Sequence, residues 1–345
     1  MKTEELKYVL ETFSQIVKIQ PLRPVTSFVE LFCKDGALRI GTTDGYTKIV
    51  ATLSDDNEMN NVVLDRDQLL KLIKLTNKED IKIIRKDDYV AIRGCGNYKL
   101  PIQCDETGTQ VALNLKMPKM ENGMSCNING IKEIFNRNSL CLGDADTYPF
   151  LNQYYSENGK VFTTDVAKAC TTKAVLPQQV MPSEVIKKIA TLDKDIVFMG
   201  DNQGARVDSD IFQIYFMYDE PIEYPADTVR PFMGTDWAEF SFVLNKSELV
   251  NALKRITIFS KPWQSGKCIL TFEDSCVTIL GENQDANETL DIKLEGRACR
   301  MVTSAEEILL ILRKIEPEFT IYGSQRCIGF EDSKGLYVLS LMEES

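Results

Sequence analysis

Asn245-Lys246-Ser247-Glu248-Leu249-Val250-Asn251-Ala252-Leu253-Lys254-Arg255-Ile256-Thr257-Ile258-Phe259-Ser260-Lys261 reads as one amphipathic helix. Leu249, Leu253, Ile256 and Phe259 recur at the helical period and form an apolar stripe, with Lys254, Arg255 and Lys261 on the opposite face. Segments of the same kind begin near Glu4, Asp65, Asn127, Ser183, Asn245 and Ser304, so successive starts lie 61, 62, 56, 62 and 59 residues apart. In the fourth, Val185, Ile186, Ile189 and Leu192 oppose Lys187, Lys188 and Lys194; in the second, Leu69, Leu70 and Ile73 oppose Lys71, Lys74 and Lys78. Short alternating strands and turns fill the intervals. A regular period of this length marks one copied supersecondary unit, and copied units stack or close around an axis. The pattern predicts a ring or an arc.

The strands carry a longer period. Gly36–Gly45 is a strand ending in Thr43-Asp44, and Gly159–Val166 repeats it 121 residues later with Thr164-Asp165; Ser275–Glu282 is a weaker third copy about 118 residues further on. Each copy follows another strand, at Phe28–Cys33, Phe150–Tyr155 and Cys268–Phe272, and a proline-containing loop precedes each pair. Two helices and several antiparallel strands per ~120 residues give an α+β class with three tandem domains, each an internal duplicate: 1–119, 120–235 and 236–345. Met117–Gly123 and Pro231–Thr235 read as the linkers. Asp44 and Asp165 each stand alone, without a second acid at ligand spacing, so a turn or cap role at a strand end outweighs metal ligation.

Composition narrows the function classes. Across 345 residues, 43% are hydrophobic and 26% charged, which suits a globular chain with sizeable cores and argues against disorder. The apolar runs are too short to span a bilayer and the N-terminus is unlike a signal peptide, so a cytoplasmic protein without a membrane partner is expected. The ten cysteines are scattered without a CxxC pair and read as buried, reduced thiols. Histidine is absent, which removes Ser-His-Asp and Cys-His catalysis and every histidine-containing metal site. Neither GxxxxGK nor GxGxxG occurs. What survives for catalysis is carboxylates, lysines or a metal held by oxygen ligands alone, and no cofactor is expected. Net charge is −11, yet the six helical segments together carry +6 and the rest −17. If the helices share a face, that face is a positive surface on an acidic body.

With these features in hand, the chain resembles the sliding clamp, the beta subunit of bacterial DNA polymerase III, over its whole length. Leu6–Glu11, Arg23-Pro24 and Thr42–Gly45 are similar to that family's first domain, and Val161–Asp165 to the second domain's strand end. Glu248–Ser260 resembles the long helix of the third domain; Glu288–Ile292 and Gly335–Leu339 resemble its last strands. The resemblance implies a head-to-tail homodimer of three-domain chains, a ring of six domains around double-stranded DNA. It also implies partners in the polymerase catalytic subunit and the clamp loader. Carried over by position, Arg23, Lys71, Lys74, Arg137, Lys187, Lys188, Lys254, Arg255 and Lys261 face DNA, contacting phosphates without reading sequence.

The same resemblance places the dimer seam at Tyr98 and Leu100 against Ile258 and Phe259, positions that also read as ordinary core. It places a groove for partner peptides at Leu151, Thr164, Asp165, Lys168, Pro231, Val338, Leu339 and Met342. This chain departs from the family there: Val166 stands for a glycine, Lys168 for an arginine, Ala167 and Ala169 for larger residues, and the tail reads Ser340-Leu341-Met342-Glu343-Glu344-Ser345. Lysine lacks the planar fork of arginine, and two glutamates beside a groove disfavour acidic ligands. Two other readings follow from the residues. One is a clamp-shaped scaffold that binds replication proteins without being loaded on DNA; the other, an oxygen-ligated metal enzyme, lacks a pair of acids at suitable spacing.

Overall fold

The computed structural model describes residues 1–53, 61–218, 223–259, 266–282, 285–297 and 299–342. All six expected helices form: α1 (Thr3–Ile16), α2 (Arg66–Lys74), α3 (Ile128–Asn138), α4 (Ser183–Ile189), then, after a short α5 (Ala226–Val229), α6 (Lys246–Ile258) and α7 (Ala305–Leu312). Their starts are set by local chemistry. Asp65 caps α2 by accepting from Gln68 N at 2.8 Å, Asn245 caps α6 through Ser247 N at 2.8 Å, and Ser304 caps α7 through Glu307 N at 3.2 Å. Leu69 and Ile73 of α2, Val185, Ile186 and Ile189 of α4, and Leu249, Leu253 and Ile256 of α6 are buried as the stripes predict. Phe259 is not: α6 ends at Ile258, and Phe259 stands beyond it, 54% exposed.

The chain falls into two compact units, residues 1–131 with 184–221, and 132–183 with 222–345. The first is built on an eight-stranded antiparallel sheet in the order Val62–Asp65, Phe28–Lys34, Ala37–Thr43, Thr47–Leu53, Phe212–Met217, Gly204–Asp208, Ile196–Asp201, Met124–Cys126, with a three-stranded sheet of Lys82–Arg85, Tyr89–Arg93 and Asn97–Pro101 beside it in sequence. The second holds a nine-stranded sheet in the order Val180–Pro182, Gln153–Glu157, Lys160–Thr164, Lys168–Lys173, Gly335–Ser340, Cys327–Asp332, Thr320–Gly323, Phe240–Val243, Lys293–Gly296. It also holds a four-stranded sheet, Asn287–Asp291, Cys276–Gly281, Lys267–Phe272 and Cys299–Ser304. Thr47–Leu53 pairs with Phe212–Met217, and Lys168–Lys173 with Gly335–Ser340, so in each case strands about 160 to 170 residues apart share a ladder. At the second seam only glycine fits at 335, where a Cβ would stand 1.9 Å from Thr171 O.

The expected strand Phe150–Tyr155 is divided. Proline at 149 opens a 3-10 turn, Pro149–Asn152, and the strand begins at Gln153; the Pro24–Ser27 turn before Phe28–Lys34 is its counterpart. Pro231–Thr235, read as a linker, is largely regular: Arg230–Met233 continues α5 as a 3-10 turn, and Met233 is buried. The ten cysteines are all free, but five are buried, three half-buried, and Cys95 and Cys104 exposed. No described helix is long and apolar enough to cross a membrane.

Candidate functional site

The two Thr-Asp strand ends are the same turn. In the first, Thr43 Oγ1 donates to Thr47 O at 2.8 Å, Gly45 N donates to Thr43 Oγ1, and Asp44 Oδ1 accepts from Tyr46 N and Thr47 N. In the second, Thr164 Oγ1 donates to Lys168 O at 2.9 Å, Val166 N donates to Thr164 Oγ1, and Asp165 Oδ1 accepts from Lys168 N at 2.7 Å. Both acids are turn builders, and no described group of three His, Cys, Asp or Glu side chains is placed to hold a metal. The turns differ in one respect. Gly45 has φ +96° and Val166 φ +80°, a left-handed conformation that suits glycine and strains a β-branched side chain. Val166 is 65% exposed, so packing gives it nothing in return. Val166→Gly is expected to stabilise its unit by about 1 kcal/mol, read as a higher midpoint in thermal or urea unfolding.

Val166 stands on the wall of a cavity of about 410 Å³ in the second unit. Phe162, Ala169 and Val338 line it from the large sheet, Phe150 from the 3-10 turn, and Val229 and Phe232 from α5 and its continuation. Thr164, Lys168 and Val338 are the expected groove residues that line it. Asp165 acts through Lys168. Leu151 and Leu339 are buried and outside the lining; Leu339 is the correction, since it belongs to the core under α6 and α7, alternate residues of its strand facing opposite sides. Pro231 and Met342 are exposed but outside the lining, and Glu343 and Glu344 lie outside the described residues. The α5 wall escaped the sequence reading because Pro225 and Pro231 bracket it and mimic a linker.

Lys168 is the charged centre of this wall. Its ammonium lies 2.9 Å from Glu307 Oε2, on α7, and 3.3 Å from Asp165 Oδ2. Burial disfavours the charge there, but the Glu307 hydrogen bond and the Asp165 carboxylate outweigh it and hold the lysine above its ordinary pKa. Arg326, at the end of Cys327–Asp332, is the other cation of the lining; its side chain is exposed and makes no ion pair among the described residues.

The nine basic positions expected to face DNA divide sharply. Arg137 is a correction. It is 0% exposed and bidentate to Asp332, with Nη1 to Oδ2 at 2.7 Å and Nη2 to Oδ1 at 3.0 Å, and its guanidinium lies 5.0 Å from the Tyr337 ring centroid. Lys188 bridges Thr47 Oγ1 at 3.1 Å and the Asp44 and Glu184 carboxylates at 3.9 Å. Lys74 pairs with Glu11 at 3.0 Å, Lys187 with Glu184 at 3.7 Å, and Arg255 bidentately with Glu288. Arg23 is exposed and lies over the Tyr46 ring; Lys71 and Lys254 are exposed on α2 and α6 without an ion pair among the described residues. Lys261 lies outside the described residues. Of the expected dimer residues, Ile258 is 76% exposed and Phe259 and Tyr98 are also exposed, whereas Leu100, at 9%, is core in the single chain. Among the described residues, Asn97–Pro101 and Asn287–Asp291 are edge strands, each paired on one side only.

Solved structures share this architecture end to end. The beta subunit from the DNA polymerase of Streptococcus pyogenes superposes over 100% of this chain and 99% of its own with a TM-score of 0.83 at 14% identity. DNA polymerase III subunit beta from Pseudomonas aeruginosa covers the same shares at 0.81 and 17%. The beta subunit from Thermotoga maritima covers them at 0.77 and 14%. No protein-family model matches the chain and no curated protein matches its sequence. Paired helices, joined sheets and full-length superposition together give this chain the fold of the DNA polymerase III beta subunit.

Proposed function

We propose that this chain is a sliding clamp: a non-enzymatic ring, closed by two copies head to tail, that encircles double-stranded DNA in the cytoplasm and tethers a polymerase catalytic subunit after loading by a clamp loader. The observation that carries the reading is the correspondence, over the full length of the chain, with clamp subunits at TM-scores up to 0.83. Three domains, 1–119, 120–235 and 236–345, each contribute two helix-plus-strand copies. Arg23, Lys71 and Lys254 meet phosphates directly, while Lys74, Lys187 and Arg255 do so by exchanging exposed or half-exposed carboxylate partners, which costs little because such pairs contribute ~0–1 kcal/mol; Lys188, largely covered beside an equally covered Asp44, adds positive potential from its place rather than by exchange. Phosphate contacts carry no sequence information, so the ring slides. Retention is topological, and no bond is made or broken.

Closure uses the edge strands Asn97–Pro101 and Asn287–Asp291 and the apolar side chains near them, Tyr98 in one unit and Ile258 and Phe259 in the other. Sedimentation equilibrium tests this: the account expects a species of twice the 39.1 kDa chain mass, and a strict monomer at micromolar concentration contradicts it. The cavity beside Val166 and Lys168 takes the short peptide of a partner.

A second reading, a clamp-shaped scaffold never loaded on DNA, draws on one fact: five of the nine basic candidates, Lys74, Arg137, Lys187, Lys188 and Arg255, already hold carboxylates. Salt titration of binding to a short duplex separates the two. Lys71→Gln and Lys254→Gln should each lower the salt slope by about one if these lysines release counterions from phosphates, and leave it unchanged if they are merely solvated.

A further inference from the structure

The cavity that the proposed function assigns to a partner peptide has an electrostatic direction, and we infer that it selects an extended peptide whose apolar anchor is followed or preceded, two to three residues away, by an acidic side chain seated on Arg326. This inference rests on the peptide-binding reading of the cavity. Three strand ends cross one rim. Ser340 N donates to Ala167 O at 2.8 Å on one side, and Leu341 N donates to Arg326 O at 2.9 Å on the other. Neighbouring strands lie ~4.8 Å apart, so Arg326 is about 10 Å across the rim from the Val166–Lys168 end, the reach of roughly three extended residues.

The two ends differ in what they offer a ligand. At one end Lys168 is already held by Glu307 and Asp165, so an incoming carboxylate there meets two acids whose attraction for the lysine it must displace. At the other end Arg326 is exposed, lines the same cavity and makes no ion pair among the described residues. Between them the surface is apolar: Phe162, Ala169, Val338, Val229, Phe232 and Phe150. Such a surface takes one or two large apolar side chains and fixes orientation through a single polar contact. A guanidinium forms a forked, charge-assisted pair with a carboxylate, which a neutral amide replaces poorly. The acidic preference therefore belongs to Arg326, not to Lys168.

The test uses the full chain and labelled synthetic peptides sharing one Leu-Phe anchor pair, with Asp or Asn placed two or three residues before or after it. Fluorescence anisotropy at low salt should show one Asp peptide binding about tenfold more tightly than its Asn partner. Arg326→Gln should abolish that preference while leaving the Asn peptide's affinity in place, and Lys168→Gln should not abolish it. The preference should persist or grow in the Glu343→Gln/Glu344→Gln background, since those changes remove like charge in the following residues. Equal binding of every Asp and Asn pair overturns the Arg326 assignment while the cavity's role as a peptide site stands. Failure of all the peptides to bind overturns both.

Discussion

Replacement of Arg137 by methionine is expected to destabilise the second unit by about 3–5 kcal/mol, because it leaves a buried carboxylate without its counter-charge. Asp332 accepts from both terminal nitrogens of Arg137 and also from the backbone nitrogens of Glu316, Lys334 and Gly335, each at 3.0 Å. Burial alone would raise this carboxyl's pKa; the Arg137 hydrogen bonds and the backbone donors reverse that and hold it below the ordinary carboxylate value. On Arg137 burial likewise works against the charge, and the Asp332 pair restores and raises it. The pair fastens α3 to the turn before Gly335–Ser340, the strand that carries Val338 to the groove, and Tyr337 OH donates to Arg137 O at 3.1 Å in the same cluster.

The sign of the pH dependence follows. A carboxylate whose folded pKa is depressed contributes stability that is fully present above its unfolded value, ~3.9, and is lost as pH falls through the lower folded value. The stability gap between wild type and Arg137→Met is therefore largest at neutral pH and narrows below about pH 4. Chemical unfolding at a series of pH values measures it. A gap under 1 kcal/mol at neutral pH, or one that widens on acidification, contradicts the assignment of Arg137 as a buried structural cation.

The second large effect concerns self-association. Ile258 and Phe259 are large apolar side chains exposed at the end of α6, and the proposed closure buries them. Ile258→Asp together with Phe259→Asp should convert the dimer to monomer at micromolar concentration, weakening association by 100-fold or more, because two desolvated apolar contacts become buried carboxylates. Thermal unfolding of each unit should change little, since neither side chain is in the core of the single chain. Sedimentation velocity with a parallel melting curve reads both. Loss of the dimer with the fold intact supports the seam, and an unchanged sedimentation coefficient contradicts it.

The helices and their order were legible because their signals are local: an Asp, Asn or Ser cap at 65, 245 and 304, then an apolar residue every three or four positions. Arg137 shows how a local signal is misread. Ile128, Ile131 and Ile134 are buried on one face of α3, and the same three-residue step lands on 137. The period marks that position as buried, but the resemblance, carried over by position, places it facing DNA. Its partner lies 195 residues away, beyond any pattern in the helix. Phe259 failed the other way, continuing the stripe of α6 past the residue where the helix ends. Val166 was visible as a departure from Gly45 in the matching turn; that it keeps the left-handed backbone regardless was not, because the conformation is imposed by the Thr164 and Asp165 hydrogen bonds. The α5 wall of the cavity was hidden by its prolines, and the pairing of Lys168 with Glu307 joins residues 139 positions apart.

The most direct test of topological retention is release from closed circular DNA against release from the same DNA made linear. The protein is loaded on nicked circular duplex by a clamp loader, separated from free protein by gel filtration in high salt, and the DNA is then cut once with a restriction enzyme. The account predicts that the protein stays with the circle, because phosphate contacts weaken with salt but a closed ring does not, and that it is lost from the cut molecule by sliding off the ends. Equal loss from circular and linear DNA would contradict encirclement.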